Sequence, residues 1–290
     1  MIGRRTVSAF PAFGVVMTML LLVGTALPST GAPAPVLRWE KDFKTATQRA
    51  RTEGRIVMVD FWADWCTFCK KLDETTYKDT SVIARLSRST VAVKVNTEGR
   101  RDEVEIGEEH GVENLPTIGF FTPEGRAVAR IEGYVDADAF LRLMNTVEVE
   151  GADMLEWERV LRADAANFDA LYGLGAKLYE LNYHEDAQPL LERARKKDSG
   201  SLRMRKRVRM MLARIIETKV GFEASEKMLR EGLALPAEPD TDPRLSFLLS
   251  RCLMSLGRAP EARTVLTKLL ATYPKHAVAA SARQTLESLR

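Results

Sequence analysis

The sequence predicts two architectures in series: an α/β domain with a mixed central sheet and helices on both faces, then an all-α domain of helical repeats. Three observations predict this. Strand-like and helix-like segments alternate up to about residue 148. From about residue 151 no strand pattern remains. The later half also repeats itself at a nearly fixed spacing. Alternation of strands and helices implies layered packing around a sheet, and self-similarity implies stacked units. The composition, 45% hydrophobic and 29% charged with a net charge of +3, supplies apolar material for cores. It lacks the charge excess of a nucleic-acid binder, and no nucleic-acid partner is expected.

The elements of the first domain, expected over 36–148, follow in order. Leu37 to Trp39 is a short apolar start, and 42–53 is a helix with Phe43, Ala46 and Ala50 on one face. "RIVMVDFWA" (55–63) is a nearly continuous β-favouring run, as expected of a central strand buried on both faces. A helix starts at about Cys66, and a second short one covers 79–86. "TVAVKVN" (90–96) is another strand, and 102–112 is a helix stopped by Gly111. "TIGFFTPEGRAVARIEGY" (117–134) is a hairpin turning at Pro123-Glu124-Gly125. Asp136 caps a last helix, expected over 137–147.

In the second half, residues 169–194 place Leu171, Leu174, Gly175, Leu178, Ala187 and Leu191 in a helix-pair pattern. Residues 244–274 repeat it, and a looser copy lies between them. Ala187, Ser225 and Ala262 occupy matching positions, 38 and 37 residues apart. Such small residues let two antiparallel helices approach closely. Residues 151–290 therefore resemble tetratricopeptide repeats, whose period is about 34. The resemblance implies a surface that binds another protein. Packing on the first domain, or a dimer contact, is the alternative. The basic run "RMRKRVR" (203–209) reads as a solvated helix face, with a patch for an acidic partner as the alternative.

Residues 1–32 have the layout of a secretory signal peptide, with an uncleaved anchor as the alternative. Arg4 and Arg5 precede an uncharged apolar stretch, and small residues follow at 29–32. Either way the rest of the chain is expected outside the cytoplasm, in an oxidising compartment such as the periplasm.

Two of the three cysteines, Cys66 and Cys69, lie where the strand of 55–63 gives way to a helix. A helix N-terminus favours negative charge and so populates the thiolate. Cys66 is expected to attack a client disulfide, and Cys69, one turn on, to resolve the mixed disulfide. A zinc site would need two further ligands, and only Cys252 and three scattered histidines are at hand. A c-type haem would need His where Lys70 stands. A static structural disulfide is a third reading. No metal and no cofactor is expected. Cys252 reads as a small buried hydrophobe, and His110 as a surface residue.

"VDFWADWCTFCKK" closely resembles the active-site segment of thioredoxins. Through "NLPTIGFFTPEGR" and "GYVDADAFLRLM" as well, the domain is similar to the C-terminal periplasmic domain of the transmembrane thiol:disulfide interchange reductases. The resemblance implies a thioredoxin fold and protein-disulfide reductase activity. It implies that Pro116 is a cis-proline and that Trp65, Leu115, Pro116 and Thr117 contact the substrate. It makes Asp60 the buried acid that handles the Cys69 proton, with Lys94 as the basic residue paired to it. The expected partners are client proteins with disulfides and a membrane protein that donates electrons. Thr67-Phe68 stands where thioredoxin has Gly-Pro, so the direction of exchange is open, and an oxidant is the alternative. A docking platform with weak turnover is the reading from another class.

Overall fold

The branched and aromatic run that follows Arg55 forms the middle of the sheet. In the computed structural model, which describes residues 36–289, this strand is β2 (Ile56–Trp62). Its flanks are β1 (Trp39–Glu40), β3 (Thr90–Asn96), β4 (Thr117–Phe121) and β5 (Ala127–Glu132), in the order β1-β3-β2-β4-β5. β2 runs parallel to β3 and antiparallel to β4, so the sheet is mixed. The expectation for residues 1–32 lies outside the described residues.

Alternation along β2 divides the core in two. Val57, Val59 and Phe61 pack with Ala46 and Ala50 of α1 (Phe43–Glu53). Ile56 and Met58 face the other way, toward Leu72 of α2 (Thr67–Glu74), Leu86 of α3 (Thr80–Ser89) and Phe140 of α5 (Ala137–Ala163). α4 (Arg101–Glu109) completes the connection from β3 to β4. Side-chain oxygens cap three of these helices: Asp42 accepts from Thr45 N–H, Asp79 from Val82 N–H and Asp136 from Ala139 N–H.

α5 departs from the sequence expectation. It does not stop at Val147 but runs 27 residues to Ala163, without a break at Gly151. A glycine after a run of β-branched residues reads as a helix end. Here it serves close packing, since a Cβ at Gly151 would come within 2.8 Å of the Ile56 side chain. The far end of α5 then packs on α6 (Phe168–Glu180), where Trp157 fills the space over Gly173. One helix thus leaves the sheet and enters the helical half.

That half continues as α7 (His184–Lys197), α8 (Leu202–Lys219), α9 (Phe222–Ala234), α10 (Asp242–Ser255), α11 (Ala259–Thr272) and α12 (Ala279–Ser288). The small residues Ala187, Ser225 and Ala262 are fully buried, one in the second helix of each successive pair. No described helix is long and apolar enough to cross a membrane.

Two surface assignments are corrected. The basic run on α8 is only in part a solvated face. Lys206 is fully buried against Asp242, Arg209 donates to Asp198 at 2.9 Å, and Arg203 reaches Glu238 at 3.2 Å. Asp198 lies in the turn just before α8, but Glu238 and Asp242 come from beyond α9, 35 and 36 residues from their partners, where the local sequence gives no sign of the pairing. His110 is likewise not a surface residue. Its ring lies 4.2 Å from that of Phe121 and beside Phe61, and burial lowers its pKa.

Candidate redox site

β2 ends at Trp62, and the chain turns directly into α2. Cys66 is the N-cap residue of α2, its sulfur accepting the Cys69 N–H at 3.1 Å. Cys66 and Cys69 are joined in a disulfide. The pair is almost covered, Cys66 at 2% and Cys69 at 1% exposure, beneath a rim of exposed residues that includes Trp65 and Phe68. Trp65 is held by a 2.8 Å hydrogen bond from its indole to Glu98. The Phe68 ring faces Tyr134, over which Lys71 sits at 4.1 Å.

β4 is antiparallel to β2, with Thr117 paired to Phe61, so its start lies at the end of the sheet where α2 begins. The Leu115–Pro116 peptide bond there is cis. The Pro116 carbonyl accepts from Gly133 N–H, and the Thr117 hydroxyl donates to Asn114 O. Thr117 and Pro116 are buried, and Leu115 is half-buried.

Asp60 and Lys94 stand in register on β2 and β3. Asp60 is fully buried, and its Oδ2 accepts from Lys94 Nζ at 2.8 Å. Its Oδ1 has no hydrogen-bond partner among the described residues. Burial raises the Asp60 pKa, against the pull of Lys94. Lys94 also donates to Asp73 of α2 at 2.6 Å. Desolvation works against its charge, but Asp60 and Asp73 together raise its pKa. The rings of Trp39, Tyr77 and Trp62 surround the ammonium at 4.9, 5.6 and 5.8 Å. The Tyr77 hydroxyl is buried beside Asp60, and its pKa is pushed well up by burial and that acid.

The sequence residues Asp60 and Lys94 are therefore brought together beneath α2. Asp73 was not singled out, although its place one turn beyond Cys69 on the same helix was legible. Trp39, Tyr77 and Tyr134 carried no local signal. Cys252 is buried and free, its sulfur 2.9 Å from Phe222 O, and burial raises its thiol pKa.

A cysteine pair, here joined in a disulfide, that caps a helix at the end of a central strand beside a cis-proline defines a thioredoxin-like site. Residues 43–148 match the thioredoxin-like domain family, and residues 222–286 match the tetratricopeptide repeat family. Over 102 residues, 34% of this chain and 17% of the relative, the sequence is 35% identical to the thiol:disulfide interchange protein DsbD of Pseudoalteromonas atlantica. The same protein of Yersinia pestis is 34% identical over 103 residues, again 34% of this chain and 17% of the relative. The chain thus spans about a sixth of the length of the curated relatives it matches. Among solved structures, a thioredoxin from Thermus thermophilus is 27% identical, covering 40% of this chain and 89% of that one, with a TM-score of 0.37.

Proposed function

We propose that this chain is an exported protein-disulfide reductase, with residues 36–148 as its exchange module and residues 151–290 recruiting a protein partner. The observation that carries the reading is the Cys66–Cys69 disulfide at the N-terminus of α2, set beside cis-Pro116. The helix terminus favours the Cys66 thiolate once the pair is reduced. That thiolate attacks one sulfur of a client disulfide. A Cys66–client disulfide forms, and the other client sulfur leaves as a thiolate and takes a proton. Cys69 then gives up its proton and attacks the Cys66 sulfur. The intramolecular disulfide closes and the second client thiol is released, so two electrons pass to the client. Asp60, whose pKa burial raises, exchanges the Cys69 proton. Lys94 holds Asp60 in place.

Trp65, Leu115 and Thr117 frame the docking strip, where an extended client segment lies beside Pro116. Re-reduction of the chain requires a dithiol donor, which an exported protein meets at the membrane. The similarity to the interchange proteins supports this direction and an envelope location. Reduction of insulin by the pre-reduced full chain tests the reading. Cys66→Ser should abolish it, and full activity in that variant would leave the chain a docking platform instead.

A further inference from the structure

On α8 and α10 some arginines are engaged by acids and others are not. Arg205 and Arg209 turn into the helix seam and pair with Asp198, and the exposed Arg203 pairs with Glu238 and Asp240. The remaining arginines of the exposed face have no such close partner. Arg214, Arg244 and Arg251 are exposed and form no ion pair among the described residues. Arg207 meets only Glu180, at 3.9 Å, and rests its guanidinium 5.8 Å from the Tyr172 ring.

The outer arginines also follow the repeat. Arg207 and Arg214 on α8 correspond to Arg244 and Arg251 on α10 at the same separation of 37 that relates Ser225 to Ala262. Between the arginines of each pair stands a half-buried apolar residue at matching positions, Met210 and Phe247. The two helices border one pocket of about 300 Å³, lined by Arg203, Arg207, Met210, Arg244, Asp240 and His276. Asp240 is engaged by Arg203. His276 accepts the Val278 N–H on Nδ1 at 3.2 Å, which leaves its Nε2 as a donor.

We infer that this face of α8 and α10 binds an acidic peptide segment of a partner protein. Guanidinium groups suit carboxylates through paired hydrogen bonds. The seven-residue spacing within each pair is about 10 Å along a helix, the span of about three residues of extended chain. A segment with carboxylates at that interval places them on successive arginines, and an apolar side chain between them lies on Met210 or Phe247. Those apolar positions favour peptide over nucleic acid. The inference rests on the recruiting role proposed for the repeats and gives the partner its chemistry.

Fluorescence anisotropy with a labelled twelve-residue peptide, four repeats of Glu-Glu-Leu, tests it on the full chain. The peptide should bind, and its Gln-Gln-Leu counterpart should not. Arg244→Gln with Arg251→Gln should weaken binding about tenfold or more, as should Arg214→Gln with Arg244→Gln. Both doubles change exposed residues, and unchanged circular dichroism and melting temperature verify their fold. Equal affinity of the wild type and both doubles would overturn the inference. So would equal displacement by oligothymidylate, or by inorganic phosphate at matched charge, which would mark a nucleic-acid or small-anion site. Insulin reduction by the same variants should be unchanged. Clients trapped by Cys69→Ser without any peptide binding would leave the reductase reading standing and remove only this inference.

Discussion

Asp60 and Lys94 face each other across β2 and β3, and the 2.8 Å ion pair between them is the polar centre of an otherwise apolar layer. Lys94 is shared with Asp73 on α2, so one ammonium ties the central strands to the helix that carries the cysteines. An acid with no exposure depends on that single cation.

Removing the cation should therefore cost stability in a pH-dependent way. In Lys94→Met, Asp60 stays buried without a counter-charge, so its pKa, already raised by burial, rises further. A raised acid pKa favours the folded state fully below the unfolded value, and that advantage is lost as pH rises through the folded value. Urea titration should show a loss of about 2–4 kcal/mol at pH 7 and a smaller loss near pH 4. An equal loss at both pH values would show that Asp60 does not depend on Lys94 for its charge.

The cysteines should divide the exchange between them. Cys69→Ser should accumulate mixed disulfides through Cys66, visible on non-reducing gels and released by reductant, whereas Cys66→Ser should trap nothing. The reduction potential of the pair in the Cys252→Ser chain, equilibrated with glutathione, is expected near that of thioredoxin at about −270 mV. A value near about −120 mV would make the chain a disulfide donor.

Glu158 on α5 should give stability a slope near neutrality. It is buried where it accepts from Thr122 and Arg126, and desolvation followed by its contact with Glu124 raises its pKa to about 7. Stability is then highest below the unfolded pKa and falls as pH rises toward 7. The contribution is on the order of 2–3 kcal/mol. In Glu158→Gln this part of the slope should vanish from melting curves collected between pH 4.5 and 8, and an unchanged profile would refute the assignment.

The buried seam of the basic run should matter more than the exposed arginines of the neighbouring α10. Lys206→Met leaves Asp242, itself buried, without its cation, and should cost about 2–4 kcal/mol by urea denaturation. Arg244→Gln, on the outer face, should stay within about 0.5 kcal/mol of wild type. Similar costs for the two would remove the distinction between seam and face.

Local pattern determined much of this protein. The branched run of β2, the hairpin turn at Pro123–Gly125, the Asp136 cap and the small residues of the helix pairs are properties of neighbouring residues, and all were legible in order. So was the placement of Cys66 and Cys69, because a strand end followed by a helix start is a local event. The tertiary structure alone decided which charges meet. Asp60, Asp73, Lys94, Trp39 and Tyr77 come from five elements. Glu238 and Asp242, which meet Arg203 and Lys206 of α8, lie beyond α9. It also decided that α5 continues past Gly151, because the reason for that glycine is the Ile56 side chain across the sheet. Desolvation and ion pairing depend on what the fold brings within a few ångströms, and periodicity along one chain cannot encode the identity of a neighbour from another element.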